Sequence, residues 1–301
     1  MTAIGTESEP IVFTSAKESK NKGDWAGIRI SDNSILEHCI IEFAGYSNSL
    51  SGYNTALAIY GSTAVVNNCT IRESSGHGIE IEATGGEISF NTIQNCSEYG
   101  VTIDMENYQV FDQSNVMENS GGFYVDGDGL YEDITLEKRS YPYIVDGLTF
   151  FINATLTIEP GAEIQLRSGT GFALGFDRTS RYSGNLIANG TPEEPIKFSL
   201  YHKDKEAGNS NWGALVFGTE STVSVLENCI ISDGGYVVDG NSNTHPNMGM
   251  IHCYKTAGFP TITNCTIANS ATYGITLEGG ATTTMSGNVF SNNASGDKHS
   301  Y

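Results

Sequence analysis

Apolar and polar residues alternate along this chain only in short runs. Gly78-Ile79-Glu80-Ile81-Glu82, Gly100-Val101-Thr102-Ile103-Asp104 and Gly274-Ile275-Thr276-Leu277-Glu278 each put one side chain in and the next out. That is the two-residue period of a half-buried strand, and each run ends after four or five residues. The runs recur. Thr70-Ile71 returns as Thr92-Ile93 22 residues on, and Thr266-Ile267 returns as Val289-Phe290 after 23. Asparagine and glycine sit between them. Short strands at such spacing, each with an apolar face it cannot bury alone, predict stacked coils of a parallel β-helix, an all-β solenoid.

A longer repeat encloses the shorter one. Pro10-Ile11-Val12-Phe13 matches Pro195-Ile196-Lys197-Phe198, 185 residues apart, and Trp25 matches Trp212. Leu36-Glu37-His38-Cys39-Ile40 matches Leu226-Glu227-Asn228-Cys229-Ile230. Asn68-Cys69-Thr70-Ile71 matches Asn264-Cys265-Thr266-Ile267, by then 196 residues apart. The slow drift is what loops of unequal length produce in a tandem duplication. Two segments are expected, 1–128 and 129–301, the second stacked on or adjoining the first. The second has a leader, about residues 129–188, without a counterpart in the first. A piece of a longer chain, or a solenoid with little cap, is therefore expected. Met1-Thr2-Ala3-Ile4-Gly5 lacks the basic start and apolar stretch of a signal sequence.

Cys39 and Cys69 should lie one coil apart, as should Cys229 and Cys265. The expected arrangement is a column of buried thiols rather than disulfides, with Cys96 and Cys253 out of that register. The absence of any CxxC argues against a zinc or thioredoxin-like site. Composition narrows the partners. A formal charge of −20 offers no basic face for nucleic acid or an anionic bilayer. No apolar run approaches the roughly 20 residues of a membrane helix, so no membrane span is expected.

One long stretch carries a family resemblance: Pro142-Tyr143-Ile144-Val145-Asp146-Gly147, Leu156 through Ile164, Leu186 through Thr191, then Trp212-Gly213 and Leu226 through Ile230. It resembles bacterial secreted or cell-surface right-handed parallel β-helix repeat proteins, including putative lipoproteins of Bacteroidetes. The resemblance implies right-handed coils, the pectin-lyase-like superfold and an extracellular setting. That superfold also hosts lyases, glycoside hydrolases, epimerases, adhesins and inert modules, so function has to come from the site.

Gly76-His77-Gly78 resembles one motif of polygalacturonase-type hydrolases, but the clustered aspartates those enzymes need are missing. Asp126 to Glu137 imitates a calcium loop and fails at Tyr131, where glycine is required. No cofactor is expected beyond a looser calcium ion on Asp126, Asp128 and Asp133. The acids Glu80, Glu82, Asp104 and Glu278 are candidates for an acidic stripe whose charges raise one another's pKa. Arg178 and Arg181 are the basic candidates for a lyase. Two loops, holding Tyr46, Tyr53 and Asn54 in one copy and Tyr236 and His245 in the other, have the make-up of a sugar-contacting surface. Loops at 17–22 and 203–205 gather five lysines. The leading expectation is a non-catalytic extracellular module that binds carbohydrate or supports surface adhesion, with a polysaccharide or surface glycan as partner. A polysaccharide lyase or hydrolase and a structural spacer of a larger surface protein stand as alternatives.

Overall fold

A computed structural model describes residues 1–46, 54–126, 129–151, 153–175, 183–208, 211–235 and 248–301. The chain divides into two compact units, Met1–Asp126 and Gly127–Tyr301. The strand pairings described within them are parallel, and the coils lay their strands on three faces.

In the first unit one face stacks Thr2–Ile4, Ile35–Glu37, Val65–Asn67 and Glu87–Ser89. The next stacks Ile11–Phe13, Cys39–Glu42, Thr70–Arg72, Thr92–Gln94 and Val116–Glu118. The third stacks Ile28–Ile30, Thr55–Ile59, His77–Ile81, Val101–Asp104 and Phe123–Asp126. The second unit repeats the plan. Its three faces run from Ile134–Leu136 to Thr282–Ser286, from Tyr143–Asp146 to Val289–Ser291, and from Gly129–Leu130 to Gly296–Ser300.

The alternation read from the sequence sets which side chains point inward. Leu57, Ile79, Val101 and Phe123 form one buried column, and Ile59, Ile81, Ile103 and Val125 the next. Because coils rise about 4.8 Å, each inward side chain packs directly on its equivalents above and below. The corners need left-handed backbone, which asparagine tolerates better than most residues. Asn68 fills one corner in the first unit and Asn228 and Asn264 its counterpart in the second; Asn95 and Asn119 fill the next corner in the first unit and Asn269 and Asn292 in the second, all at positive φ.

Beside the first corner runs a ladder. The Cys39 N–H points to Cys69 Sγ at 3.4 Å, and the Cys69 N–H to Asn91 Oδ1 at 2.9 Å. Asn91 in turn donates from its backbone to Asn115 Oδ1. Cys229, Cys265 and Asn288 hold the equivalent slot in the second unit. All six cysteines are buried free thiols, Cys96 and Cys253 included. Burial in this apolar slot pushes the Cys69 thiol up to about 12.

The duplication extends to hydrogen bonds. Glu9 N–H donates to Thr6 Oγ1 at 3.0 Å, as Glu194 N–H does to Thr191 Oγ1. Trp25 Nε1 donates to the Glu42 carbonyl and Trp212 Nε1 to that of Ser232. The described helices are brief, Met105–Val110 and His202–Glu206, and none is long and apolar enough to cross a membrane.

Candidate functional site

The third face of the first unit turns an unusual set of side chains outward. His77 begins its strand, and one coil later Tyr99 stacks on it, ring centroids 5.4 Å apart and 7° from parallel. Tyr124 stacks on Tyr99 at 4.6 Å. The ladder fixes the imidazole. Its Nδ1 accepts the Tyr99 N–H at 3.4 Å, leaving the Nε2 proton for Glu98, whose Oε2 is 3.1 Å away. The other Glu98 oxygen accepts Asn54 Nδ2 at 3.1 Å. Burial lowers the His77 pKa below its ordinary value, with the Glu98 charge opposing. Ring faces in such a ladder are spent largely on one another. What it offers outward is mostly ring edges, beside carboxylate and amide groups.

Two further outward columns continue the surface. Arg29, Ala58, Glu80, Thr102 and Tyr124 align through successive pairings. Arg29 lies over the Tyr60 ring at 4.5 Å and donates to its hydroxyl at 3.1 Å. Asp104 pairs with Asp126, and Glu82 extends that column one coil earlier. Burial, and then the Glu82 carboxylate, raise the Glu80 pKa against the pull of Arg29. Two carboxylates on alternate residues of one strand thus differ in environment, which is how one of a pair comes to hold a proton longer.

These pairings describe a solenoid, and the sequence pattern of the right-handed β-helix region matches residues 26–139 and 143–299. The chain belongs to the right-handed β-helix family. No curated protein matches it, and no solved structure does. For a right-handed β-helix, the outward columns are the natural place for binding chemistry, since the inward ones are committed to packing.

The other sequence-stated candidates fall as follows. Tyr46 is 52% exposed. Asn54 stands at the edge of the ring ladder, held by Glu98. Tyr53, Tyr236, His245, Arg178, Arg181 and Asp128 lie outside the described residues. Glu80, Glu82 and Asp104 share one face of the first unit. Glu278 belongs to the second unit, where its Oε2 meets His252 Nε2 at 3.2 Å and accepts the Tyr301 hydroxyl at 3.0 Å. Asp133 accepts the Thr155 N–H. Among the described residues no three His, Cys, Asp or Glu side chains converge as a metal site.

The lysines at 17–22 serve the fold. Lys17 pairs with Asp24 at 2.7 Å, Lys20 with the buried Glu42 and Lys22 with Glu73. Lys205 pairs with Asp233. Sequence reading missed Glu98, Tyr99, Tyr124, Arg29 and Tyr60. The recurrence of a ring before glycine, in His77-Gly78 and Tyr99-Gly100, is the signal that points to the ladder.

Proposed function

We propose that this right-handed β-helix is a non-catalytic carbohydrate-binding module, secreted or displayed on a bacterial surface, in the manner of a lipoprotein or adhesin. One observation carries the reading: an outward face on which the His77–Tyr99–Tyr124 ladder adjoins Glu98, Asn54, Arg29 and the Glu82–Asp104–Asp126 column. Saccharides are amphipathic in this same way. Their hydroxyls suit carboxylate, amide and guanidinium partners, and their C–H surfaces suit aromatic edges. The ladder and its Glu98 bridge hold these groups before any ligand arrives, which lowers the entropy cost of binding.

A second reading, a polysaccharide-cleaving enzyme, draws on the raised pKa of Glu80 beside Glu82, an acid and a base of the kind glycoside hydrolysis employs. Native electrophoresis through gels cast with different polysaccharides, with and without calcium, separates the readings. The binding module gives a retarded band with intact polymer, and Tyr99→Ala restores free migration. A cleared zone abolished by Glu80→Gln replaces the module with the enzyme. Unchanged migration in every gel refutes both and leaves the structural spacer.

A further inference from the structure

The second unit carries a ring group of its own. Tyr273 and His299 lie face to face, centroids 4.6 Å apart and 10° from parallel, and Tyr301 leans against His299 at 5.3 Å. The duplication places Tyr273 where the first unit has His77. Both precede a glycine that the passing backbone requires: a Cβ on Gly78 would stand 2.6 Å from the Gly100 carbonyl, and one on Gly274 2.8 Å from that of Asp297.

A polar chain holds this group in place. Tyr301 donates to Glu278 Oε2 at 3.0 Å, and the same oxygen meets Nε2 of the buried His252. His252 Nδ1 lies 2.7 Å from Thr276 Oγ1, which accepts the Gly249 N–H. Burial and the Glu278 charge push the Tyr301 hydroxyl up to about 12, so it stays protonated and keeps donating. On the other side, Asp297 Oδ1 accepts Asn293 Nδ2 at 3.2 Å. Each unit therefore presents a near-parallel His–Tyr pair with a carboxylate gripping one ring: Glu98 grips the histidine in the first, Glu278 the added tyrosine in the second.

From this we infer that the second unit is a separate saccharide platform centred on Tyr273, His299 and Tyr301, so that one chain holds two glycan sites. The inference rests on the carbohydrate-binding reading above. Its ligand class is a short stretch of a hydroxyl-rich oligosaccharide. The platform is built from half-exposed rings flanked by the Glu278 and Asp297 carboxylates, whose charge disfavours an anionic sugar.

The two histidines act as built-in reporters. The full chain is titrated with cellohexaose, xylohexaose, mannohexaose and chitohexaose while the imidazole Cε1–H resonances are followed, assigned by His77→Ala and His299→Ala. The expected result is that one hexaose moves both resonances and calorimetry gives about two sites per chain. Tyr99→Ala then abolishes the His77 response and leaves that of His299. His299→Ala reduces the stoichiometry to about one, and Tyr301→Phe, which keeps the ring and removes its anchor, weakens only the second site. A hexaose that moves His77 alone, with one site per chain, overturns the second platform and leaves the first standing. Failure of all four to move either resonance overturns both.

Discussion

Asn91 offers the sharpest test of the ladder that spaces the coils. It is 1% exposed, and its side chain joins three coils. Oδ1 accepts the Cys69 N–H at 2.9 Å, while Nδ2 donates to the Val66 carbonyl at 2.7 Å and to Asn115 Oδ1 at 2.9 Å. Asn91→Ala strips the Cys69 amide of its acceptor inside the protein, at about 1–3 kcal/mol, and removes the Val66 bond, worth about 1 kcal/mol more. The sum is about 2–4 kcal/mol.

Asn91→Cys should recover part of that loss, because the preceding coils already use cysteine in this slot. There the Cys39 N–H reaches sulfur at 3.4 Å, and Cys69 Sγ donates to the Leu36 carbonyl at 3.5 Å. These sulfur bonds are longer and weaker, so roughly half the loss should return. Solenoids lose their coils in stages, which makes a local readout better than a global one. Deuterium exchange at the Cys69 amide should accelerate roughly 30- to 700-fold in Asn91→Ala, taking tenfold per 1.4 kcal/mol. The cysteine variant should fall between. Unchanged exchange in the alanine variant, or a cysteine variant no better than alanine, refutes the ladder argument.

Three further outcomes follow from the charges. Glu80 has a folded pKa above its ordinary 4.5, so the folded state holds more protons than the unfolded one as pH rises through that window. Its charge therefore costs stability at neutral pH. Glu80→Gln should gain about 0.6 kcal/mol at pH 7, the repulsion from Glu82 two residues along the strand, and lose that gain near pH 4 in paired melting curves. His77 shifts the other way. Its folded pKa lies below 6.5, so the unfolded chain takes the proton first and stability falls as pH drops below 6.5. Glu98→Gln removes the opposing charge, and the midpoint read from the imidazole resonance should fall further; a rise would contradict the pairing. Arg72 holds Glu42, 8% exposed, through two bonds of 2.8 and 2.6 Å. Burial alone would raise the Glu42 pKa, but Arg72 and Thr14 hold it below the ordinary value. Arg72→Ala should cost about 2 kcal/mol in urea denaturation at pH 7, below the full cost of stranding a buried charge because Lys20 remains. The cost should shrink once acid protonates Glu42.

Inward and outward positions were legible in the sequence because alternation is local: Ile79 and Ile81 announce a buried face from five residues of context. The cysteine and asparagine slots were legible too, since a corner repeats its chemistry at every turn. Lateral neighbours were not. His77 meets Tyr99 and Glu98 because the intervening coil is 22 residues long, and Glu42 meets Arg72 across 30. Coil length is set by loops, whose composition says little about how far they displace the next strand. For the same reason the pairing of the lysines of 17–22 with Asp24, Glu42 and Glu73 could not be read from their loop.

The two copies also report on each other. Along the third face the inward positions keep their character: Ile28 and Leu215, Ile30 and Phe217, Leu57 and Ile251, Ile79 and Ile275, Ile81 and Leu277. The positions between them do not. Arg29 stands where the second copy has Val216, Ala58 where it has His252, and Glu80 where it has Thr276. Packing explains the first set, because a coil whose inward side chain changes size disturbs the coils above and below it. Packing bears on the second set too: Val216, His252 and Thr276 are buried, where Arg29 and Glu80 reach the surface of the first copy, so this column changes from surface in one copy to covered structure in the other. Both copies carry a stacked His–Tyr pair on this face, with His299 opposite Thr276 rather than at the slot Tyr99 fills, and both keep a glutamate at its far end, Glu82 in one and Glu278 in the other. Under the proposed carbohydrate-binding reading, these ring pairs and glutamates are where a ligand would be met, and Arg29 and Glu80, whose counterparts in the second copy are covered, would give the first surface a chemistry the second lacks.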